Sequence, residues 1–325
     1  MYFINNMLTK LNLTENNANI ALDHIGKCGI RASIILDSIY MPTRSRITTF
    51  EIEYPRFILS EFNTHRMLSR NTASSRAIPV DKMHQHIRDN TAIPVVWGQN
   101  KAGMQADHEI LPDIQNYAKL TWLEARDSAL RYSRLLADFD VHKQITNRLT
   151  EPFQLVKTVV TATEWANFWA LRDHEMAQPE FHELAHIMHT LYTKSQPKAL
   201  KTDEWHLPYV KTGTAANHQQ LFIDEQTGLE IKLEDAIKIS ASCCAQVSYR
   251  KQDTSLEKAI RIYDQLIESK PAHASPVEHQ ATPITTWDTI ERIGISHQDR
   301  IGNLWSGNFR GWIQYRKLIP GECKW

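Results

Sequence analysis

Residues 50–62, FEIEYPRFILSEF, and the segment just behind them, residues 64–76, THRMLSRNTASSR, decide how this chain is read. The first alternates polar and apolar residues and then turns apolar, the pattern of a buried strand. The second packs His65, Arg66, Arg70, Asn71, Arg76 and several hydroxyls into one short run. Arg offers a planar fork of donors suited to phosphate, small hydroxyls allow close approach, and His can donate from either ring nitrogen. The cluster reads as an anion grip at a strand end, and the plainer alternative is a solvated polar turn.

Upstream, RASIILDSI (31–39) and TTFEIEYPRFIL (48–59) are β-rich and flank MPTRSR (41–46), which suggests an antiparallel pair feeding the 64–76 loop. Residues 1–29 hold a polar NLTENNAN patch and read as an extension. Downstream, two turn signals in residues 94–113 precede a helical pattern from Tyr117 to Phe139, with Leu120, Leu123, Leu130, Leu135 and Leu136 expected on the core side. A second helix is expected from an N-cap at Thr163 towards Tyr192, kinked or restarted at Pro179. Residues 196–230 read as a linker with a hairpin in LFIDEQTGLEIKL (221–233). LEDAIKISASCCAQVSY (233–249) and SLEKAIRIYDQLIE (255–268) read as helices, followed by the loop KPAHASPVEHQATP (270–283) and a tail rich in Trp, Gly and Arg. The expected organisation is an extension (1–29), a core (30–195), a linker and hairpin (196–230), and a C-terminal part that completes the core (231–325).

With 325 residues and 42% hydrophobic content the chain can bury a large core. Lys plus Arg and Asp plus Glu are both 37, so any anion binding comes from local clusters, and neither a polynucleotide nor a membrane surface is the expected partner. Cys28, Cys243, Cys244 and Cys323 show no C-x-x-C spacing, and the start of the chain lacks an export signal, so a reducing, cytoplasmic setting is expected.

Three further constellations compete for chemistry. His182-Glu-Leu-Ala-His186 matches H-E-x-x-H, which on a helix sets two imidazoles on one face for zinc with Glu183 as general base. The metzincin continuation is absent, and with 15 histidines chance matches occur, so a zinc hydrolase through His182, Glu183 and His186 is the alternative from another enzyme class. His273 and His279 lie in a Pro-containing loop, where turn capping is the simpler reading. Arg148 in NRLTEPF, with Asn167 and Arg172, adds two cations and an amide. A guanidinium flanked by Trp169, Leu171 and Met176 should seek a planar or anionic partner.

Taken together, these segments resemble the flavin-dependent thymidylate synthases, the ThyX family. The family signature R-H-R-x-x-S-x-N-x-x-S-x-R is met at every position after the first by His65, Arg66, Ser69, Asn71, Ser74 and Arg76. A second block looks like the family in Arg148, Thr158, Thr161, Asn167, Arg172, Ala177, Gln178 and Glu180. CCAQVSY (243–249) and AHASPVEH (272–279) resemble blocks that the family places ahead of its signature, so the motif order resembles that of a permuted, phage-type member. The resemblance covers roughly residues 31–190 and 233–283.

The resemblance implies an α+β fold with an antiparallel sheet flanked by helices, a homotetramer with sites between subunits, and a cytoplasmic enzyme (host cytoplasm if phage-encoded). It implies conversion of dUMP to dTMP with FAD as cofactor and NADPH and methylenetetrahydrofolate as co-substrates, with no metal. By carry-over, His65, Arg66, Ser69, Asn71, Asn167 and His279 would contact FAD. Ser74, Ser75, Arg76, Arg148 and Arg172 would hold the nucleotide. Arg172, Ser74 and His279 would be catalytic, with Arg172 stabilising negative charge at the uracil ring. The chain departs from the family at Thr64, Glu61, Thr72, Ala77 and Met176, where the family has Arg, Gln, Glu, Tyr and His. Another pyrimidine nucleotide such as dCMP, hydroxymethyl transfer, or nucleotide binding without catalysis are therefore the nearer alternatives. Arg310, Arg316, Trp305 and Trp312 in the tail are candidates to replace lost flavin contacts.

Overall fold

A computed structural model describes residues 22–103, 105–106, 108–248, 253–267, 269 and 273–322. Its centre is a six-stranded sheet. Strands β1 (Asp23–Ile25), β2 (Arg31–Tyr40), β3 (Ser45–Pro55), β4 (Ser69–Thr72) and β5 (Leu155–Ala162) run in the order β1-β2-β3-β5-β4, all neighbours antiparallel, and β6 (Lys198–Leu200) pairs parallel with the end of β2. The expected β2–β3 pair around MPTRSR is present. The α+β expectation, with an antiparallel sheet flanked by helices, is met.

Strand periodicity divides the sheet into two chemically different faces. On one face Phe50, Ile52, Tyr54, Val160 and Ala162 pack with Trp165, Phe168, Phe181, Leu184 and Met188 in the main core. A fully buried Phe or Ile there contributes about 1.5–3 kcal/mol. The helices covering this face are α5 (Ala166–Arg172) and α6 (Pro179–Lys194). The other face carries Thr49, Val159 and Thr161, and is covered by α7 (Leu233–Ala245), the loop around Ser275–Glu278, and the tail strands β10 (Ala281–Pro283) and β11 (Trp312–Gln314).

Several boundaries differ from the sequence expectation. Strand β3 ends at Pro55, and residues 56–62 turn through a 3-10 segment and the short helix α1 (Leu59–Phe62) before the signature, so the cluster does not follow the strand directly. The signature is not wholly a loop, because Ser69–Thr72 pair with β5. The helix expected from Thr163 does restart at Pro179, as a second helix separated from the first by residues 173–178. Thr163 does not cap the first, since its hydroxyl accepts the Arg310 backbone N–H at 2.9 Å, and Pro179 opens the second at its first turn, where a missing N–H costs nothing.

Helix α2 (Val80–Asp89) precedes α3 (Pro112–Asp138), the long helix expected near 117–139, whose apolar face is only partly covered, and the short α4 (Lys143–Thr146) follows it. Leu130 is buried, whereas Leu120 and Leu135, expected in the core, are 58% and 42% exposed within one chain. The 221–233 hairpin forms as β8 (Gln220–Ile223) and β9 (Glu230–Ile231), extended by β7 (Lys211–Thr214). Helix α8 (Leu256–Ile267) packs on α7. The N-terminal extension is partly sheet, since Asp23–Ile25 form β1; Cys323, Tyr249 and Ala272 lie outside the described residues. No helix among the described residues is long and apolar enough to cross a membrane.

Candidate active site around the signature strand

The signature brackets β4, and each end of it meets a different part of the second sequence block. At the N-terminal end His65 packs edge-on to Phe168 and Phe181, with ring centroids 5.0 and 5.8 Å apart. Its Nε2 accepts from Arg172 Nε at 2.8 Å, and Arg172 also pairs with Glu61 and lies over the Phe181 ring at 4.6 Å. The flanked guanidinium thus finds both an anion and a planar partner. Burial, then the charges of Arg172 and Arg70, lower the His65 pKa to about 4. The imidazole is neutral near pH 7, with its proton on Nδ1 because Nε2 is an acceptor.

Two departures from the family pattern have local explanations. Thr64 turns its hydroxyl back to the Glu61 carbonyl at 2.7 Å, capping the turn where the family has an Arg. Thr72 pairs at 3.0 Å with Thr158, which also meets the Tyr54 hydroxyl at 3.0 Å.

At the C-terminal end of β4, the buried Asn147 amide donates to the Ser75 carbonyl at 2.8 Å and to the Ile78 carbonyl at 3.0 Å. This ties the end of the signature to the 147–153 turn. Arg76 and Arg148, the next residues after Ser75 and Asn147, are both exposed, and Arg148 has a 3.6 Å pairing with Glu151. Glu151 also holds Arg56 at 3.2 Å. Ser75 itself is buried, so its hydroxyl is not offered to a ligand at the surface.

The six residues carried over as flavin contacts do not converge within one chain. His65 lies on the α5/α6 side, and exposed Arg66 and Asn167 each stand next to a member of the His65–Phe168 contact. Ser69 and Asn71 point to the other face. Asn71 donates to the Cys244 carbonyl at 3.1 Å, while the Ser69 hydroxyl is shared by Gln314 at 3.1 Å and Asn308 at 3.1–3.2 Å. His279 is fully buried beside Thr161, the cross-strand partner of Ser69, at 2.8 Å. As a single-chain flavin site the full set does not fit, because Ser69, Asn71 and His279 are engaged on the opposite face of the sheet from His65.

The tail also departs from expectation. Arg310 is spent on Glu164 at 2.5 Å, Arg316 pairs with Glu278 and Glu322, Trp305 donates to Asp299 at 3.0 Å, and Trp312 is fully buried. Arg316, Trp305 and Trp312 are thus engaged or buried, Arg310 stays exposed but away from the signature, and the tail closes the second face of the sheet. A polar cleft of about 630 Å³ beside it, lined by Arg44, Arg46, Glu164 and Arg310, excludes every signature residue.

The H-E-x-x-H reading is corrected in one respect. His182 and His186 do share a face of α6, but Glu183 points away and accepts the Lys27 backbone N–H at 3.0 Å, in a space that Gly26 leaves free. The general base of a zinc hydrolase is therefore missing from the histidine side.

Residues that sequence reading missed are mostly buried polar ones. Besides Asn147, Arg70 donates to the carbonyls of His65 and Phe62 and shapes the turn before β4. A chain of hydrogen bonds crosses the second face from Ser38 to His206 (2.9 Å), Thr49 (2.9 Å), Thr161 (2.7 Å) and His279 (2.8 Å). Burial lowers the pKa of both histidines to about 3. Asn147 had one available signal, its place beside Arg148, but nothing in the sequence marked it as buried.

Residues 40–198 match the family model described as thymidylate synthase complementing protein. No curated protein matches the chain. Among solved structures, the UMP/dUMP methylase PolB from Streptomyces cacaoi, bound with 5-Br dUMP, is 20% identical, with 47% of this chain and 69% of that one covered at a TM-score of 0.40. The same enzyme bound with 5-Br UMP gives 19%, 46%, 69% and 0.40. Residues 40–198, which hold the signature strand and both of the segments it meets, are thus similar to the thymidylate synthase complementing protein family.

Proposed function

We propose that this protein transfers a one-carbon unit to a pyrimidine deoxynucleotide, with reductive methylation of dUMP to dTMP as the reaction. The observation that carries the proposal is the Asn147 clamp, which joins the end of the signature to the turn bearing Arg148 and leaves Arg76 and Arg148 exposed for an anion. Two exposed guanidiniums on a fixed backbone suit a phosphate monoester. Ser74 at the same end of β4 is the proposed hydroxyl contact to the nucleotide, and Ser75 supports it through its carbonyl.

At the other end of β4, Arg172 is the proposed partner of the pyrimidine ring. Glu61 and His65 hold its Nη1 and Nε, which orients the planar group and leaves Nη2 to meet negative charge on a ring carbonyl. Neutral His65 keeps Nδ1–H as a donor beside Arg66 and Asn167, the residues that would hold FAD. The flavin, when bound, supplies the reducing equivalents, drawn from NADPH, for a carbon donated by methylenetetrahydrofolate. His279 is a positioning residue that braces Ser69 through Thr161.

Strand β4 stands between the phosphate grip and Arg172, and the flavin residues are split between two faces. Both features favour a site completed by a second copy, in a homotetramer. The contacts of Asn71 with Cys244 and of Gln314 with Glu278 favour a permuted order, with the C-terminal blocks packed on the signature strand. The first test is uptake of FAD by the purified full chain, followed by equilibrium binding of dUMP. A protein that takes up neither overturns the proposal.

A further inference from the structure

The face of α6 that carries His182 and His186 is not explained by nucleotide chemistry. Asp173, the residue that ends α5, reaches across to it. Its Oδ1 is 3.0 Å from His186 Nδ1 and 3.6 Å from His182 Nε2, and one ligand atom from each of the three residues lies within 4.8 Å of the others. Its Oδ2 is engaged by His189 Nδ1 at 2.6 Å, and the His189 ring is stacked on Trp169 at 4.9 Å and 8°.

We propose that Asp173, His182 and His186 form a binding site for a divalent transition metal of the zinc class, with His189 as the outer partner that orients the carboxylate. Ligand atoms on a tetrahedral metal with bonds near 2.0–2.1 Å stand about 3.3 Å apart, close to the spacings around Oδ1. Two imidazoles and one carboxylate suit zinc, cobalt or nickel, whereas magnesium and calcium call for oxygen ligands. Asp173 is only 16% exposed while His186 is 65% exposed, so the site has a fixed floor and an open side for water. His189 holding the second carboxylate oxygen is the arrangement by which outer residues orient metal ligands.

Glu183 lies on the far side of the helix with Lys27, so the site binds and braces without the base needed to activate water for hydrolysis. A metal there ties the residue after Arg172 to α6. It would stiffen the α5–α6 junction.

The test is titration of the EDTA-treated full chain with Zn²⁺ and Co²⁺, followed by calorimetry and by the visible spectrum of bound Co²⁺. Stoichiometric binding of one ion per chain is expected, with no comparable binding of Mg²⁺. His186→Ala, at an exposed position that leaves the fold intact, and Asp173→Asn should each weaken binding by more than about tenfold, and His189→Phe by about tenfold. Glu183→Gln should leave metal affinity unchanged. Absence of stoichiometric binding overturns the site. Affinity kept in Asp173→Asn overturns it as well, because it would mean a bare histidine pair, and a loss in Glu183→Gln would mean a different ligand set.

Discussion

Arg172 donates from Nε to His65 Nε2 across 2.8 Å, so the second arginine of the substrate segment and the first matching residue of the signature form one unit. The bond sets the imidazole tautomer, and Glu61 on the other edge of the guanidinium sets its plane. Arg172→Ala should lower kcat by about 10²–10³, the scale for loss of one preorganised donor to developing charge. Arg172→Lys should recover little, because an ammonium cannot hold His65 and Glu61 together. Anaerobic turnover with unfolding midpoints for both variants checks this; wild-type rates in Arg172→Ala would remove it from the reaction.

Arg76 and Arg148 should act on the phosphate and not on the base. Each Arg→Ala change is expected to weaken dUMP binding by about 1.5–3 kcal/mol, the range for hydrogen bonds to charged groups, and to leave deoxyuridine binding unchanged. Asn147→Ala should weaken the same binding indirectly, since it frees the two carbonyls it clamps, and should cost about 1–3 kcal/mol of stability. Isothermal titration against nucleotide and nucleoside separates the two effects. Equal losses for both ligands would show that the arginines do not read phosphate.

The fully buried His206 and His279 make stability depend on pH. Their folded pKa values of about 3 lie below the ordinary 6.5, so on acidification the unfolded chain takes up these protons first. Their contribution is present above about pH 6.5 and is lost as pH falls towards 3, at up to about 1.4 kcal/mol per pH unit for each histidine. Urea unfolding between about pH 7 and pH 5 should show this slope, and His206→Gln with His279→Gln should flatten it. An unchanged slope in the double variant would mean that other groups carry it.

Gln314 is the tail residue with the most at stake. Its buried amide donates to Ser69 at 3.1 Å, to the Glu278 carbonyl at 3.1 Å and to Asn308 at 3.0 Å. Gln314→Ala leaves these acceptors short of a donor and should cost about 1–3 kcal/mol in urea unfolding. Loss of FAD uptake with no loss of stability would instead assign Gln314 to the cofactor.

Local pattern made much of this molecule readable. The β2–β3 pair, the 221–233 hairpin and α7 and α8 follow from alternation, turn residues and helical spacing, and the two sequence blocks do meet through His65 and Arg172. What could not be read is which face of the sheet each side chain takes. Ser69 and Asn71 are two residues apart and so share a face, but only the pairing of β4 with β5 and the arrival of α7 and the tail decide that this face is closed. The same limit hid the orientation of Glu183, since a one-residue step around a helix moves a side chain to the other flank. Leu120 and Leu135 have helical periodicity suited to a core, yet they stand exposed, because periodicity does not say how much of a helix its neighbours cover.

The most direct measurement is anaerobic incubation of reduced, FAD-loaded protein with methylenetetrahydrofolate and either dUMP or dCMP, with the nucleotide product identified by mass. We expect dUMP to gain a methyl group and become dTMP while dCMP is left unchanged. Methylation or hydroxymethylation of dCMP alone would move the activity to another pyrimidine, and recovery of both nucleotides unchanged from flavin-loaded protein would overturn one-carbon transfer altogether.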